Sequence, residues 1–229
     1  MPDHTEKTPN PPDGQVPKAV VNRLSLYLRE LQHLMRDGHP TTSSNQLGSL
    51  LGFTDAQVRK DLAYFGHFGY PGIGYKCEEL IAAIRKIMGT DRFWPVAMFG
   101  VGNLGRAILG YKGFSGQNFR VVAAFDISAD MVGGSIEGVR VYHPDELPTV
   151  VKAENIKLGM IMVPAPHAQG VADRLVQAGV EGIVNFAPVT LALPEHVSLV
   201  GVDLAMELEQ LCFNVANKKK AAEKLEESA

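Results

Sequence analysis

The chain has 229 residues, of which 45% are hydrophobic and 21% are charged, and its formal net charge is −3. These values are ordinary for a water-soluble globular protein, and the length allows one or two domains. No apolar run approaches the roughly 20 residues that a membrane span needs, which argues against a membrane protein. Cys77 and Cys212 stand far apart without a CxxC motif. This predicts two free buried thiols, a reducing cytoplasm and no zinc site or disulfide.

The charges are unevenly distributed along the chain. Between Lys18 and Cys77 there are seven basic and four acidic side chains, a surplus of three positive charges, so the rest of the chain carries the acid. This asymmetry favours a polyanionic partner for the N-terminal segment. Residues 1–16 are polar and lack the apolar core of a secretion signal, which predicts a disordered arm.

Three helices are predicted in the first third of the chain. Over residues 17–37 apolar side chains recur at helical spacing. Two shorter helices follow, preceded by the N-cap residues Ser43 and Thr54, with Gln46 and Gln57 three residues later as capping-box partners. The last helix is expected to reach about residue 65. The side chains expected on the buried faces of these two helices are Leu47, Leu50, Leu51, Val58, Leu62 and Phe65.

The two short helices fit the geometry of a helix-turn-helix. The polar face of the second would then lie in the major groove of DNA, and it carries Gln57, Arg59, Lys60, Asp61 and Tyr64. Basic side chains bind phosphates or guanine and a glutamine can read adenine, so the candidate contacts are Arg59, Lys60 and Gln57. At the start of the first helix, Ser43 and Ser44 could bind phosphate. The alternative is an ordinary helical hairpin with a solvated charged face.

A glycine-rich segment follows the third helix. Four glycines and a proline alternate with bulky residues between positions 66 and 75, which predicts a small β-hairpin where a winged helix carries its wing. A further helix over residues 78–88 leads to a domain boundary near residues 89–94. The predicted divisions are an arm (1–16), a winged-helix domain (17–89), a dinucleotide-binding domain (90–202) and a C-terminal helix with its tail (203–229).

After Trp94 the pattern changes to short apolar runs that alternate with helical segments. This alternation predicts an α/β fold with a parallel, helix-covered sheet. The predicted strands are Val96–Phe99, Val121–Phe125, Val139–Tyr142, Leu158–Val163, Gly182–Asn185 and Ser198–Val202. The predicted helices are Asn103–Tyr111, Pro144–Lys152, His167–Ala178 and Asp203–Asn217.

A GxGxxG motif directly follows the first of these strands and opens a helix. Gly100 permits the tight turn, Gly102 lets a pyrophosphate approach the backbone, and Gly105 lets helix and strand pack closely. The next strand ends in Asp126, which is placed to accept hydrogen bonds from the adenosine ribose and to repel a 2′-phosphate. The motif therefore predicts a Rossmann-type site for NAD(H) rather than NADP(H). The alternative is a glycine-rich turn without a ligand.

Four motifs in this order resemble the bacterial family of redox-sensing transcriptional repressors called Rex. They are Gln57-Val-Arg-Lys-Asp-Leu-Ala-Tyr-Phe-Gly66, Gly72-Ile-Gly-Tyr75, Gly102-Asn-Leu-Gly-Arg106 and Asn185-Phe-Ala-Pro188. The resemblance covers residues 16–217. It implies a homodimer on a palindromic operator, a C-terminal helix exchanged between subunits, and release of DNA when NADH binds. NAD⁺ is expected to compete for the same site while leaving DNA binding possible.

The resemblance also assigns roles by position. The wing residues Gly72, Gly74 and Tyr75 join the recognition helix in binding DNA. Residues implied on the dinucleotide are Phe99, Gly100, Val101, Gly102, Asn103, Leu104, Gly105 and Asp126, with Val163, Pro164, Asn185 and Phe186 on the nicotinamide side. A polar switch set is implied at Arg29, Tyr111 and Asp203. This chain departs from the family in having Tyr70-Pro71 where a basic wing tip is common, and Leu204 where some members have Phe.

Two other functions are compatible with a Rossmann-like domain. An NAD-dependent dehydrogenase would need a positioned proton donor, and the sequence contains no His/Asp pair or Tyr-Lys arrangement of that kind. A coenzyme A or other nucleotide module is the second alternative. Asp126 argues against coenzyme A because that ligand carries a 3′-phosphate on its ribose. We therefore expect no catalytic residues and no metal ligands.

Overall fold

The computed structural model describes residues 16–70, 72–114 and 117–226, and the chain divides into two compact units between Arg92 and Phe93. All but the last residue of the predicted N-terminal arm lies outside the described residues, as does Pro71. No helix of the described segments is long and apolar enough to cross a membrane.

The described residues of unit 1 form four helices and a two-stranded sheet. Its elements are α1 (Lys18–Arg36), β1 (Thr41–Thr42), α2 (Ser44–Leu51), α3 (Asp55–Ala63), β2 (Tyr75–Lys76) and α4 (Cys77–Ile87). The strands β1 and β2 pair antiparallel. The core forms where apolar stripes of the helices meet, and its fully buried side chains include Leu24, Leu31, Leu47, Val58 and Ile84. Helix α3 ends at Ala63, two residues earlier than predicted.

The predicted N-caps are confirmed, but the capping boxes are only half formed. The hydroxyls of Ser43 and Thr54 accept hydrogen bonds from the backbone N–H groups of Gln46 and Gln57, each at 3.1 Å. The Gln46 side chain instead accepts from the Thr42 hydroxyl.

The expectation that Leu50 is buried is wrong, since it is 52% exposed. The reason is Gly48, which packs so tightly on Phe53 that a Cβ would lie 2.6 Å from the Phe53 carbonyl oxygen. This contact turns the Leu47–Gly48 edge of α2 inward and leaves Leu50 outside.

The described residues of unit 2 form a seven-stranded sheet and four α-helices. Its strands are β3 (Trp94–Phe99), β4 (Phe119–Phe125), β5 (Ser135–Ile136), β6 (Val139–Tyr142), β7 (Leu158–Ile161), β8 (Gly182–Asn185) and β9 (Ser198–Gly201). Its helices are α5 (Asn103–Leu109), α6 (Leu147–Ala153), α7 (Ala165–Gln177) and α8 (Leu204–Glu226). Short 3₁₀ turns occupy Lys112–Phe114 and Pro144–Glu146. All six predicted strands are present. The two-residue β5 has too short an apolar pattern to be predicted.

The strand order is β5-β6-β4-β3-β7-β8-β9, and every pairing is parallel except that of β5 with β6. The chain runs outward from β3 through β4 to β6 and then returns to β7 on the other side of β3. The order therefore reverses between β3 and β7, and ligands of such sheets bind outside the carboxyl ends of the strands at this point. The larger core lies on the α6–α7 face, where the rings of Phe99 and Phe125 stack at 4.8 Å.

Helix α8 differs from its prediction in length and exposure. It extends to Glu226 rather than Asn217, and Asp203 precedes it as an N-cap. Cys77 is buried as predicted, whereas Cys212 is exposed on α8, so the expectation of two buried thiols is wrong for Cys212. Six large apolar side chains of α8 are at least 56% exposed, namely Leu204, Met206, Leu208, Leu211, Phe213 and Val215.

Candidate DNA-binding and dinucleotide-binding sites

A tight turn connects α2 to α3. Gly52 ends α2 in the left-handed conformation with φ +74°, and the N–H of Phe53 bonds to the Gly48 carbonyl. A side chain at position 52 would favour a different backbone conformation, so glycine suits this turn. The turn lets the Arg59 side chain of α3 reach Ser44 at the start of α2.

Three of the predicted DNA contacts lie close together near this turn, namely Arg59, Ser44 and Tyr75. The Arg59 guanidinium is 3.3 Å from the Ser44 hydroxyl and 2.8 Å from the Asp55 carboxylate. Burial raises the pKa of Tyr75, while the nearby Arg59 charge and the Ser44 hydroxyl oppose that effect. Arg59 is therefore exposed but held in place from both helices.

The other polar residues of the predicted interface lie in different environments. Lys60 is exposed and has no ion-pair partner within residues 16–70 and 72–114. Ser43 is exposed, and Tyr64 is half-buried at the end of α3. Lys60 is therefore an exposed positive charge that a phosphate or a base edge could approach.

The expectation that Asp61 points away from the core is wrong. Asp61 is fully buried, and its carboxylate accepts hydrogen bonds from Arg23, Tyr27 and Gln57. Burial alone would raise the pKa of Asp61, but these three donors and the charge of Arg23 together hold the pKa below its usual range. The sequence signal was the pair Arg23 and Tyr27, which stand one helical turn apart on α1.

The hairpin after α3 is present as a narrow turn. Tyr70 and Gly74 exchange two backbone hydrogen bonds of 2.7 and 3.0 Å. A Cβ on Gly74 would lie 2.3 Å from the Thr42 carbonyl oxygen, so this position needs glycine, whereas Gly72 is exposed with open space around it. Tyr75 is buried in the core of unit 1 at 8% exposure, so its ring mainly supports the wing.

In unit 2 the glycines of the motif have different surroundings. A Cβ on Gly100 would lie 2.4 Å from the Met162 carbonyl oxygen, and one on Gly105 would lie 2.2 Å from the Gly100 carbonyl oxygen. A Cβ on Gly102 would meet nothing within 4 Å. Internal packing thus explains Gly100 and Gly105, while Gly102 faces open space in which a ligand could approach the backbone.

A cavity of about 560 Å³ lies at the carboxyl ends of β3, β4 and β7. This volume suits a nucleotide-sized ligand. Predicted residues in its wall are Phe99, Gly100, Gly102, Asp126, Val163 and Pro164. Sequence reasoning missed the side that α7 contributes, which includes His167, Gly170 and Arg174. Arg174 is paired with Asp145 at 2.6 Å.

Asp126 is half-buried at the end of β4. Its Oδ2 accepts from the N–H of Val101 at 2.8 Å, and its Oδ1 accepts from the N–H of Ser128 at 2.9 Å. Because each carboxylate oxygen has a second lone pair, Asp126 can still accept from a ribose hydroxyl while it fixes the glycine loop.

The remaining predicted dinucleotide residues surround the loop. Val101 and Gly105 are buried, while Asn103 and Leu104 are exposed on the first turn of α5. Asn185 is buried and bonds to Ala187 and Val189 through its side-chain amide, so it shapes its own loop and has little freedom to reach a ligand. The adjacent Phe186 is half-buried.

The three predicted switch residues are found in both units. Arg29 is exposed on α1. Tyr111 is 57% exposed and makes an edge-on contact with Phe114. The Asp203 carboxylate accepts from the N–H groups of Ala205 and Met206, which is the geometry of an N-cap.

Two family models match the chain. Residues 15–63 match a family described as "Putative DNA-binding protein N-terminus", and residues 91–189 match one described as "CoA binding domain". The first match includes the helix-turn-helix, and the second includes the glycine motif and Asp126.

Proteins named redox-sensing transcriptional repressor Rex match nearly the whole chain. The one from Pelotomaculum thermopropionicum is 44% identical over 91% of this chain and 98% of its own length. The one from Desulfitobacterium hafniense is 45% identical over 90% of this chain and 98% of its own length.

Solved structures agree with these relatives. The structure of RSP with β-NAD⁺ and operator DNA superposes with a TM-score of 0.84 at 35% identity, over 93% of this chain and 98% of that one. RSP with β-NADH gives a TM-score of 0.82 at 34% identity, over 93% and 100%. RSP is described as a Rex-family repressor. This chain belongs to the Rex family of redox-sensing transcriptional repressors.

Proposed function

We propose that this chain represses transcription by binding operator DNA through unit 1 and that NADH binding to unit 2 releases it. The observation that carries the proposal is the identity of 44% across 98% of a Rex repressor, which includes both the helix-turn-helix and the glycine motif. RSP, a relative with the same fold, has been solved with operator DNA and with each form of the dinucleotide.

In unit 2 the dinucleotide occupies the 560 Å³ cavity. Its pyrophosphate lies against Gly102 and the first turn of α5, because only this glycine of the motif faces open space. Asp126 accepts from the adenosine ribose. Val163, Pro164 and Phe186 lie toward the nicotinamide, and Asn185 acts by shaping the loop that carries Phe186.

In unit 1 the exposed face of α3 enters the major groove. Arg59 and Lys60 contact phosphates or guanine, and Ser43 and Ser44 bind phosphate at the start of α2. The wing reaches the neighbouring backbone through its exposed tip at Gly72, with Gly74 and Tyr75 holding the hairpin against β1.

The working form is a homodimer in the cytoplasm, and α8 packs on the second subunit. The support is the exposed apolar surface of α8, because a helix that is apolar on more than one face requires burial. A dimer also matches a palindromic operator, since the protein two-fold axis then coincides with that of the DNA. Arg29, Tyr111 and Asp203 exchange partners between the two states of this dimer.

The switch is a shift between two populations. NADH must bind the released form better than the DNA-bound form, because equal affinity for both forms would leave their populations unchanged. By linkage, operator DNA must weaken NADH binding by the same factor. NAD⁺ binds the same cavity with a smaller preference for the released form.

The dehydrogenase alternative has no support, since the curated relatives are repressors and hydride transfer would need a proton donor at the nicotinamide. The family description "CoA binding domain" favours one second candidate, a coenzyme A site in unit 2. Asp126 argues against it through repulsion of the ribose 3′-phosphate.

A gel-shift titration tests the proposal directly. A palindromic operator duplex bound by the full chain should be released by NADH and retained in NAD⁺, and coenzyme A should change neither result. Equal release by NADH and NAD⁺, or by neither, would contradict redox sensing. Release by coenzyme A alone would favour the second candidate.

The recognition helix is tested by Arg59→Ala combined with Lys60→Ala. This double variant should lose operator binding and keep its NADH affinity, because it removes two exposed charges from unit 1 only. Arg36→Ala, which removes one exposed charge from the end of α1, is the control and should bind the operator normally. Retained operator affinity in the double variant would show that α3 is misassigned.

A further inference from the structure

Gln57 connects the buried carboxylate of Asp61 to the surface of α3. Its Nε2 atom is 2.7 Å from Asp61 Oδ1, and the side chain is half-exposed. The same carboxylate takes two hydrogen bonds from Arg23, at 2.5 and 2.8 Å, and one of 2.8 Å from the Tyr27 hydroxyl. An ionised carboxylate only accepts hydrogen bonds, so the amide nitrogen of Gln57, and not its oxygen, must face Asp61.

The amide oxygen of Gln57 is consequently turned toward solvent. Within the described residues that are not exposed, no side-chain nitrogen or oxygen is both buried and without a hydrogen-bond partner. Oε1 has no partner in these segments, so it is accessible. The amide nitrogen carries two hydrogens and Asp61 takes one, which leaves an N–H and the oxygen for a ligand.

Gln57 is also at the position on α3 where base contacts form. It is the third residue after the N-cap Thr54, and the N-terminal residues of a recognition helix contact base edges. In the major groove adenine offers an amine donor at N6 beside an acceptor at N7, which an amide can pair with at both atoms. Guanine offers two acceptors there and thymine one, so neither matches the outward oxygen.

We propose that Asp61 is a positioning residue that orients the Gln57 amide to read one adenine in each operator half-site. The proposal rests on the proposed operator binding. It differs from a purely structural role for Asp61, because loss of helix anchoring would weaken binding to every DNA sequence equally. Loss of amide orientation would instead remove discrimination at a single base pair.

The test uses the full chain and a duplex selected from random DNA by the unmodified protein. Each adenine of the half-site is replaced in turn by 7-deazaadenine, which lacks the N7 acceptor, or by purine, which lacks the 6-amino group. At one adenine both replacements should lower affinity roughly tenfold, as expected for a paired amide contact. Gln57→Ala should bind the natural and the modified duplexes equally.

Two further variants separate orientation from folding. Gln57→Glu keeps the chain length but has no N–H to give to Asp61 or to N7, so it should lose sensitivity to 7-deazaadenine. Asp61→Asn, checked by thermal melting and by NADH binding, should lose sensitivity at that same adenine and keep discrimination elsewhere. If Asp61→Asn fails to fold, Asp61→Glu decides the question, because it keeps an acceptor for Arg23 and Tyr27 but displaces the oxygen that holds the Gln57 amide.

Three results would overturn the proposal. They are a uniform loss of affinity for all duplexes in Gln57→Ala, retained sensitivity to 7-deazaadenine in Gln57→Glu, and full discrimination at that adenine in a folded Asp61→Asn or Asp61→Glu. If the unmodified protein bound no duplex at all, the proposed function would fail instead, so the two failures are distinguishable.

Discussion

Each unit contains an aspartate at its candidate site, and the surroundings of the two carboxylates differ. Asp61 in unit 1 is fully buried and takes its hydrogen bonds from the side chains of three residues. Asp126 in unit 2 is half-buried and takes its hydrogen bonds from two backbone N–H groups beside an open cavity.

The difference lies in what remains free. Asp61 accepts four hydrogen bonds, which is about the capacity of a carboxylate, so it can only organise the residues around it. Asp126 has accepting capacity left and faces a space of ligand size. One aspartate therefore serves the architecture and, in our proposal, orients Gln57 for DNA, whereas the other faces a cavity that a ligand could fill.

The largest effect is expected from removing the buried carboxylate. Asp61→Ala leaves the Arg23 charge and the Tyr27 hydroxyl without their partner, which should cost about 3–5 kcal/mol of unfolding free energy in unit 1. Urea unfolding followed by circular dichroism measures this loss. NADH binding should persist as the control for unit 2, and a loss below about 1 kcal/mol would show that the network is not a main anchor of α3.

Two glycine substitutions sharpen the contrast within unit 2. Gly100→Ala places a methyl group against the Met162 carbonyl oxygen in a left-handed backbone, so it should lower stability and NADH affinity together. Gly102→Ala meets no protein atom within 4 Å and should keep stability while losing roughly tenfold or more in NADH affinity. Thermal melting and NADH titration give both quantities. Unchanged NADH affinity in Gly102→Ala would show that the pyrophosphate does not bind beside Gly102.

Asp126→Ala should have a smaller effect on affinity. It removes one charge-assisted hydrogen bond to the ribose and the two bonds that fix the glycine loop, so NADH and NAD⁺ should both bind about tenfold more weakly. Because the ribose is common to both forms, their ratio of affinities should not change. A changed ratio, measured by calorimetry, would place Asp126 at the redox-sensitive end of the ligand.

The smallest expected effect is on the pH dependence of the free energy of unfolding of unit 1. The folded-state pKa of Asp61 is lowered, so its contribution to stability is complete above its ordinary pKa of about 3.9 and is lost as pH falls through the lower folded value. Asp61→Asn should remove that part of the acid-unfolding slope of unit 1. Identical slopes below pH of about 4 in both proteins would assign acid unfolding to other carboxylates.

Much of unit 2 could be predicted because its signals are local. Each core strand is a short apolar run, and a glycine motif with an aspartate at the next strand end has few physical interpretations. The α7 side of the cavity, with His167 and Arg174, could not be predicted because it depends on which helix the topology brings beside the motif. The hydrogen bonds of the Asn185 side chain within its own loop could not be predicted either, and whether this residue contacts the ligand stays a prediction.

Unit 1 was harder to predict at its most important residue. Asp61 lies between Lys60 and other polar side chains, so a helical pattern places it with the solvated face. Its burial depends on two donors from α1, 34 and 38 residues away in the sequence, and no local pattern of α3 contains them. The predicted burial of Leu50 is wrong for a similar reason, since the packing of Gly48 against Phe53 sets the orientation of α2.

Helix α8 has a consequence for the cell as well as for the fold. Leu204, Leu208, Leu211 and Val215 follow one stripe of the helix, while Met206 and Phe213 lie on the opposite side, and all six are exposed in the single chain. If a second copy covers these side chains, folding and dimerisation are coupled, and dilution lowers the stability of each folded subunit. The concentration of the protein in the cell would then set both the number of repressors and the free energy of unfolding of each one.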